Sequence, residues 1–385
     1  LNIRNFNTDK VTNMSQIFQN CKSVTGLEVS NFNTELVLDM SHMFEECSRT
    51  TVLKVDKFDT SKVTNMKGMF KYSSVSSLDL SKFDTRKVED MSQMFMYTSN
   101  LKELNISNFD TSNVRNMSSM FEHIYSVRSL DYGKINTAKV EDMSYMFKEA
   151  ASLTSIDLST FDTRNVWDMY EMFYGCTSVE KLDLSHFDTS KIKDMYSMFY
   201  DVHFVTSLDV SNFDVSLVTD MANMFYGCYS LTSLKLFKTK SNNLRYCSHM
   251  FDGMSRLTYL DIKNLDTRNV EDFNSMFKSL YHITSIDLSS LNTGNAINMS
   301  YLFSGCTSSL QLDLSKFDTS KVLNMSNMFE NCISVRSLSL ESFNTENVID
   351  MSSMFRYCFY IAEIDMKNFN TAKVKNMTKM FNFCR

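Results

Sequence analysis

The feature that most constrains this chain is a phenylalanine that returns every 26 residues. It falls at 18, 44, 70, 95, 121, 147, 173, 199, 225, 251, 277, 303, 329, 355 and 381, and only the step from Phe70 to Phe95 is shorter, at 25. A length of 385 residues would ordinarily suggest two or three domains. Fifteen copies with nothing outside the pattern leave no place for a linker, a second domain or a low-complexity tail. Residues 1–385 are therefore expected to form a single solenoid domain, cut in mid-repeat at both ends. Those mid-repeat ends lead to the expectation of a targeting signal, an anchor or caps outside Leu1 and Arg385. They would expose core residues such as Ile3 and Phe381, so missing caps or end-to-end contacts are expected.

Within one repeat, Phe173 to Phe199, Val179, Leu182 and Leu184 form an L-x-x-L-x-L element. Asp183 between the last two points the other way, as in a short half-buried strand. Phe187 turns the chain inward, and Asp188-Thr189 suits a turn and the cap of a helix. Ile192, Met195, Met198 and Phe199 then carry the spacing of one face of a helix of two to three turns. Each repeat thus reads as strand, turn, short helix and return, and only stacked copies bury its apolar face.

The run Met-Phe-x-x-Cys-x-x-Leu-x-x-Leu-x-Leu-Ser-x-Phe-Asp-Thr-Ser resembles the BspA-like leucine-rich repeats of microbial surface proteins, over the whole chain. That resemblance implies an α/β solenoid of fifteen strand–turn–short-helix repeats, with one parallel sheet on one face. It also implies adhesion or host interaction at the cell surface, and it brings no catalytic residues. Leucine-rich repeats elsewhere place Asn where this chain has Phe32, Phe58 and Phe187, so a phenylalanine spine is expected in place of an asparagine ladder. With strands about 4.8 Å apart, the stack would extend roughly 70 Å.

The abundant residues read as core. There is no proline, and 29 methionines and 31 phenylalanines are far above ordinary usage. The methionines concentrate at two positions where Ile17, Phe273 and Leu302 substitute, which keeps bulk and abandons sulfur. Eight cysteines sit three after the repeat Phe, a slot that Ala150 and Leu280 also fill. Disulfides such as Cys21–Cys47, or within 306, 332, 358 and 384, remain an alternative to free core thiols. No C-x-x-C, glycine-rich phosphate loop or histidine-centred triad occurs, so no cofactor, metal or catalysis is expected. The net charge of −6 without a basic stripe points away from nucleic acid. No apolar run reaches the ~18 residues of a membrane span. The N-x-Ser/Thr sites at Asn13, Asn105, Asn116, Asn298, Asn324 and Asn376 follow from the repeat.

Function is then sought on the strand face. Asp183, Asp209 and Asp261 belong to a ladder of aspartates flanked by serines. One reading is a solvated face whose carboxylates bond serine hydroxyls and pair with lysines; the other is a face that collects cations, calcium included, or docks a basic or hydroxyl-rich partner. The ladder breaks at Lys54–Lys57, at Asp131–Lys134 and, most widely, at 235–247. There Lys235, Phe237, Lys238 and Lys240 replace the usual residues, and an exposed Phe237 among lysines would be a binding hot spot. Alternatively Phe237 slides inward to replace the missing turn aromatic. The leading expectation is a surface protein binding a protein or glycan ligand on a host or neighbouring cell, with end-to-end or lateral self-association. An inert stalk and an intracellular interaction scaffold are the alternatives.

Overall fold

A computed structural model describes residues 3–133, 135–308 and 312–385. They form two compact units, one ending at Lys191 and one beginning at Ile192. Both are built from the same coil, stacked in parallel at the repeat spacing, so the fold is a leucine-rich-repeat-like solenoid.

In the first unit, strands β1 (Leu104–Asn105) and β2 (Leu130–Asp131) pair in parallel. In the second, β3 (Ser207–Asp209) pairs β4 (Ser233–Lys235), β5 (Tyr259–Leu260) pairs β6 (Ser285–Ile286), and β7 (Ser337–Ser339) pairs β8 (Glu363–Asp365). The expected single sheet is thus a series of two-stranded pieces. A second parallel line runs along the opposite edge through single bridges, Asn13 to Asp168 in the first unit and Asp194 to Asn376 in the second.

No helix occurs among the described residues, which corrects the expected short helix. The Met-x-x-Met-Phe-x-x-Cys run is a chain of tight turns. In it Met94, Met96 and Thr98 N–H groups donate to the carbonyls three residues back, while Met91, Gln93, Phe95 and Tyr97 donate to the next coil. The second unit repeats this, with His249, Phe251 and Gly253 donating to Asn274, Met276 and Lys278. The residue two after the first Met and the residue two after Phe adopt positive φ, as at Gln93 and Tyr97 (both 58°). Each is the third residue of its turn, where a type II turn requires that conformation. A helix would spend every N–H inside its own coil; here every second one ties coil to coil. Turns three residues apart still aim Met91, Met94, Phe95 and Thr98 inward, and all are buried. Gly227 shows how tight the stack becomes, since a Cβ there would lie 1.9 Å from Asp201 Oδ1.

The Phe column forms the core axis. Ring centroids in the first unit lie 5.6 Å (Phe121–Phe147) to 6.1 Å (Phe95–Phe121) apart, within the range for favourable stacking. The expected spine at Phe32, Phe58 and Phe187 also packs inward. A phenyl ring cannot bond the backbone, however, and the threonine two residues on carries the ladder instead. Buried Thr137 Oγ1 donates to Asp162 O (2.9 Å) and accepts from Asp162 N–H (2.6 Å). Thr293 does the same with Asp318 in the second unit. The 25-residue step is absorbed between Ser73 and Val75, where two residues span the gap that three span between Cys47 and Thr50.

All nine cysteines are free, and the seven fully buried ones are core. Cys176 Sγ donates to Phe147 O (3.1 Å) and Cys332 Sγ to Phe303 O (3.2 Å), and burial raises both thiol pKa values. No helix among the described residues is long and apolar enough to cross a membrane.

Candidate binding clefts on the strand face

The strand aspartates cap the turn that follows them. Asp183 Oδ1 accepts the Ser185 N–H (3.1 Å), Asp209 that of Ser211 (3.0 Å) and Asp261 that of Lys263 (3.1 Å). The bonds from residues two ahead favour the ionised carboxylate. The Ser185 hydroxyl and amide hold Asp183 below the usual carboxylate range, and Lys263 does so for Asp261. Asp209, bonded by Ser211 and then by Lys235, is lowered to about 2. These carboxylates are engaged locally, and no group of three His, Cys, Asp or Glu among the described residues converges to hold a metal ion.

The largest break in the repeat is also a concavity. A cleft of about 540 Å³ is lined by Asp209, Ser211, Lys235, Lys238, Tyr259, Asp261 and Lys263, among others. It shares Lys263 and Asn264 with a second of about 430 Å³ that adds Lys240, Asp266 and Arg268. Five cations thus face three carboxylates in a chain of net charge −6. Lys235 pairs with Asp209 (2.9 Å), Lys263 with Asp261 (2.8 Å) and Arg268 with Asp266 (2.5 Å). Lys238 and Lys240 are exposed and have no ion pair among the described residues. Tyr259, on β5, offers an aromatic ring that is 56% exposed.

Phe237 corrects the hot-spot expectation. It is only 2% exposed, so its ring cannot meet a partner. With Thr239 at the turn position, Phe237 two residues earlier is buried as Phe187 and Phe317 are elsewhere, and Leu236, in the column of buried Leu184 and Val210, is half-buried. Thr239 Oγ1 accepts the Val215 N–H (2.9 Å), and buried Ser241 takes the threonine-ladder role by accepting Asp266 N–H (2.9 Å). Core repair pulls Phe237 in and leaves the lysines outside.

The first break also carries a cleft, of about 470 Å³, but there two cations, Lys54 and Lys57, face three carboxylates, Glu28, Asp56 and Asp79. At the second, Tyr132 is buried and its hydroxyl donates to Asp157 O; Lys134 lies outside the described residues. Reasoning from the sequence passed over Tyr259, because a residue just before the inward strand leucine looks like any other variable position. Its signal was the aromatic where Ser155, Ser207 and Ser233 stand in other coils and Ser285 stands beside it.

The family described as "Mycoplasma protein of unknown function, DUF285" matches residues 1–101, 40–155, 71–181, 153–251, 204–311, 245–359 and 297–385, which together tile the chain. No curated protein matched. Among solved structures, a leucine-rich repeat protein from Bacteroides ovatus is similar at 15% identity, over 92% of this chain and 87% of that one, with a TM-score of 0.38. A leucine-rich repeat protein from Eubacterium ventriosum matches at 15% identity over 72% and 78%, TM-score 0.35. A leucine-rich cell surface protein from Faecalibacterium prausnitzii matches at 12% over 92% and 76%, TM-score 0.30.

Proposed function

The chain belongs to the DUF285 family, whose function is unknown, and we propose that it acts as a non-enzymatic adhesion or ligand-binding protein at the cell surface. One observation carries the reading: the widest departure from the Asp/Ser rule coincides with a cleft whose charge is reversed relative to the rest of the strand face. Such a cleft suits an acidic segment of a protein or glycan, with Lys238 and Lys240 as unpaired cations and Tyr259 as the flat contact. The resemblance to BspA-like repeats supports the surface location. The unbroken 26-residue step from Phe173 to Phe199 supports reading the fifteen repeats as one solenoid.

Binding of the fluorescently labelled chain to cultured epithelial cells tests the reading. Lys238→Glu with Lys240→Glu is expected to weaken binding at least tenfold, about 1.4 kcal/mol, with unchanged melting. Undiminished binding by that variant would remove the cleft from the account. The uniformity of the remaining repeats favours one competing reading, an inert stalk, which predicts no cell binding by either form.

A further inference from the structure

The chain has one tryptophan, and it stands on a different edge of the coil from the clefts above. Trp167 follows a buried valine, in the column that holds Arg115 and Glu141 in the two preceding coils. Its backbone is fixed, because the Trp167 N–H donates to Glu141 O (2.9 Å) as that of Glu141 does to Arg115 O (2.8 Å). Its indole projects outward, 53% exposed, into a groove of about 510 Å³. The other residues lining it are Arg115, Lys139, Glu141, Asn165 and Lys191.

We propose that this groove binds an acidic polysaccharide, with one sugar ring stacked on Trp167 and its anionic substituents held by Lys139 and Lys191. The two lysines are two coils apart, roughly 10 Å at strand spacing, with Trp167 on the coil between them. Their ammonium groups are oriented by the repeat itself. Lys139 Nζ donates to Asn113 Oδ1 (2.7 Å) and Lys191 Nζ to Asn165 Oδ1 (2.9 Å). The two asparagines are themselves pinned through Nδ2 to Arg86 O (2.7 Å) and Ala138 O (2.9 Å). A neutral amide is each lysine's partner, so both positive charges stay available to a ligand. Arg115 is paired with Glu141 (2.8 Å), which leaves the groove cationic overall.

The lining discriminates among partners. A protein hot spot sets its tryptophan among apolar neighbours that exclude water, and this groove has no aliphatic side chain. Single-stranded nucleic acid is held by successive aromatic platforms along a basic track, whereas here one ring stands opposite a carboxylate. A single flat ring flanked by two oriented cations matches a charged sugar chain.

The lone tryptophan makes the test direct, because intrinsic indole fluorescence reports this groove and no other site. Titration of residues 1–385 at low salt with heparin-derived oligosaccharides is expected to give a saturable change that weakens as salt rises. Neutral dextran of equal length should bind at least tenfold more weakly. Lys139→Ala with Lys191→Ala should weaken the heparin response at least tenfold while far-UV circular dichroism gives an unchanged melting temperature. No response to heparin oligosaccharides, a response that survives the double substitution, or an equal response to oligo-dT would each overturn the proposal.

Discussion

At the scale of single residues, the fold depends on which side chains can bond a backbone inside a dry core. Phenylalanine and methionine were legible in the sequence as core because their positions accept only bulk, and they are buried as read. Threonine was legible only as a turn former and cap, since its hydroxyl acts on a neighbouring coil about 25 residues away. Thr137→Val keeps shape but strands both the N–H and the carbonyl of Asp162, and it is expected to cost about 1–3 kcal/mol. Thr137→Ser should lose much less, because Ser241 fills this role naturally. Val215 stands in the same slot without a hydroxyl, and there the bond runs the other way, Thr239 Oγ1 of the next coil accepting the Val215 N–H. Urea denaturation of the two variants separates them, and equal midpoints would contradict the threonine ladder. Phe237 belongs to this scale too: both an exposed and an inward ring were legible in the sequence, and the structure buries it.

At the scale of the element, a helix and the turns that form in its place share one inward spacing. Ile192, Met195, Met198 and Phe199 are inward at a spacing that a helix and a string of three-residue turns both satisfy. What distinguishes them is the positive φ two residues after Met and after Phe, and five of the chain's eight glycines occupy those slots. That concentration was the available sign, diluted by the residues that tolerate the strain, such as Asn20 and Asn223. The parallel bridges on the same edge carry a column of Asp and Asn. At Asp194 and Asp220, bridged neighbours in that column, burial raises both carboxyls; repulsion from Asp194 adds to it at Asp220, which reaches about 6. A carboxyl raised on folding binds its proton more tightly in the native state, so its contribution to stability falls as pH rises from about 4 through 6. Asp220→Asn, an amide like Asn298 and Asn324 in the same column, is expected to raise the melting temperature by a few degrees at pH 7.5 and to change little at pH 4.5. Equal effects at both pH values would show that Asp220 titrates normally.

At the scale of the molecule, the interior is uniform and the exterior is where coils differ. Within each unit the Phe column and the bridged edge recur with every coil, and the threonine ladder departs from its rule only around Val215 and Ser241. Outward positions change without disturbing them, as Lys235 does opposite Asp209. The solenoid and its core were therefore legible in the sequence by counting, whereas the clefts needed the structure, because a concavity arises from neighbouring coils together. The fold lies in the rule of the repeat and the proposed binding in its breach, and a graft separates the two. Lys235→Asp, Phe237→Ser, Thr239→Phe and Lys240→Asp together restore the pattern found at Asp313, Ser315, Phe317 and Asp318. Cell binding and thermal melting of that variant, measured side by side with the parent, test the central claim. The prediction is melting within a few degrees of the parent and binding lost; a folded graft that binds cells as well as the parent would contradict it.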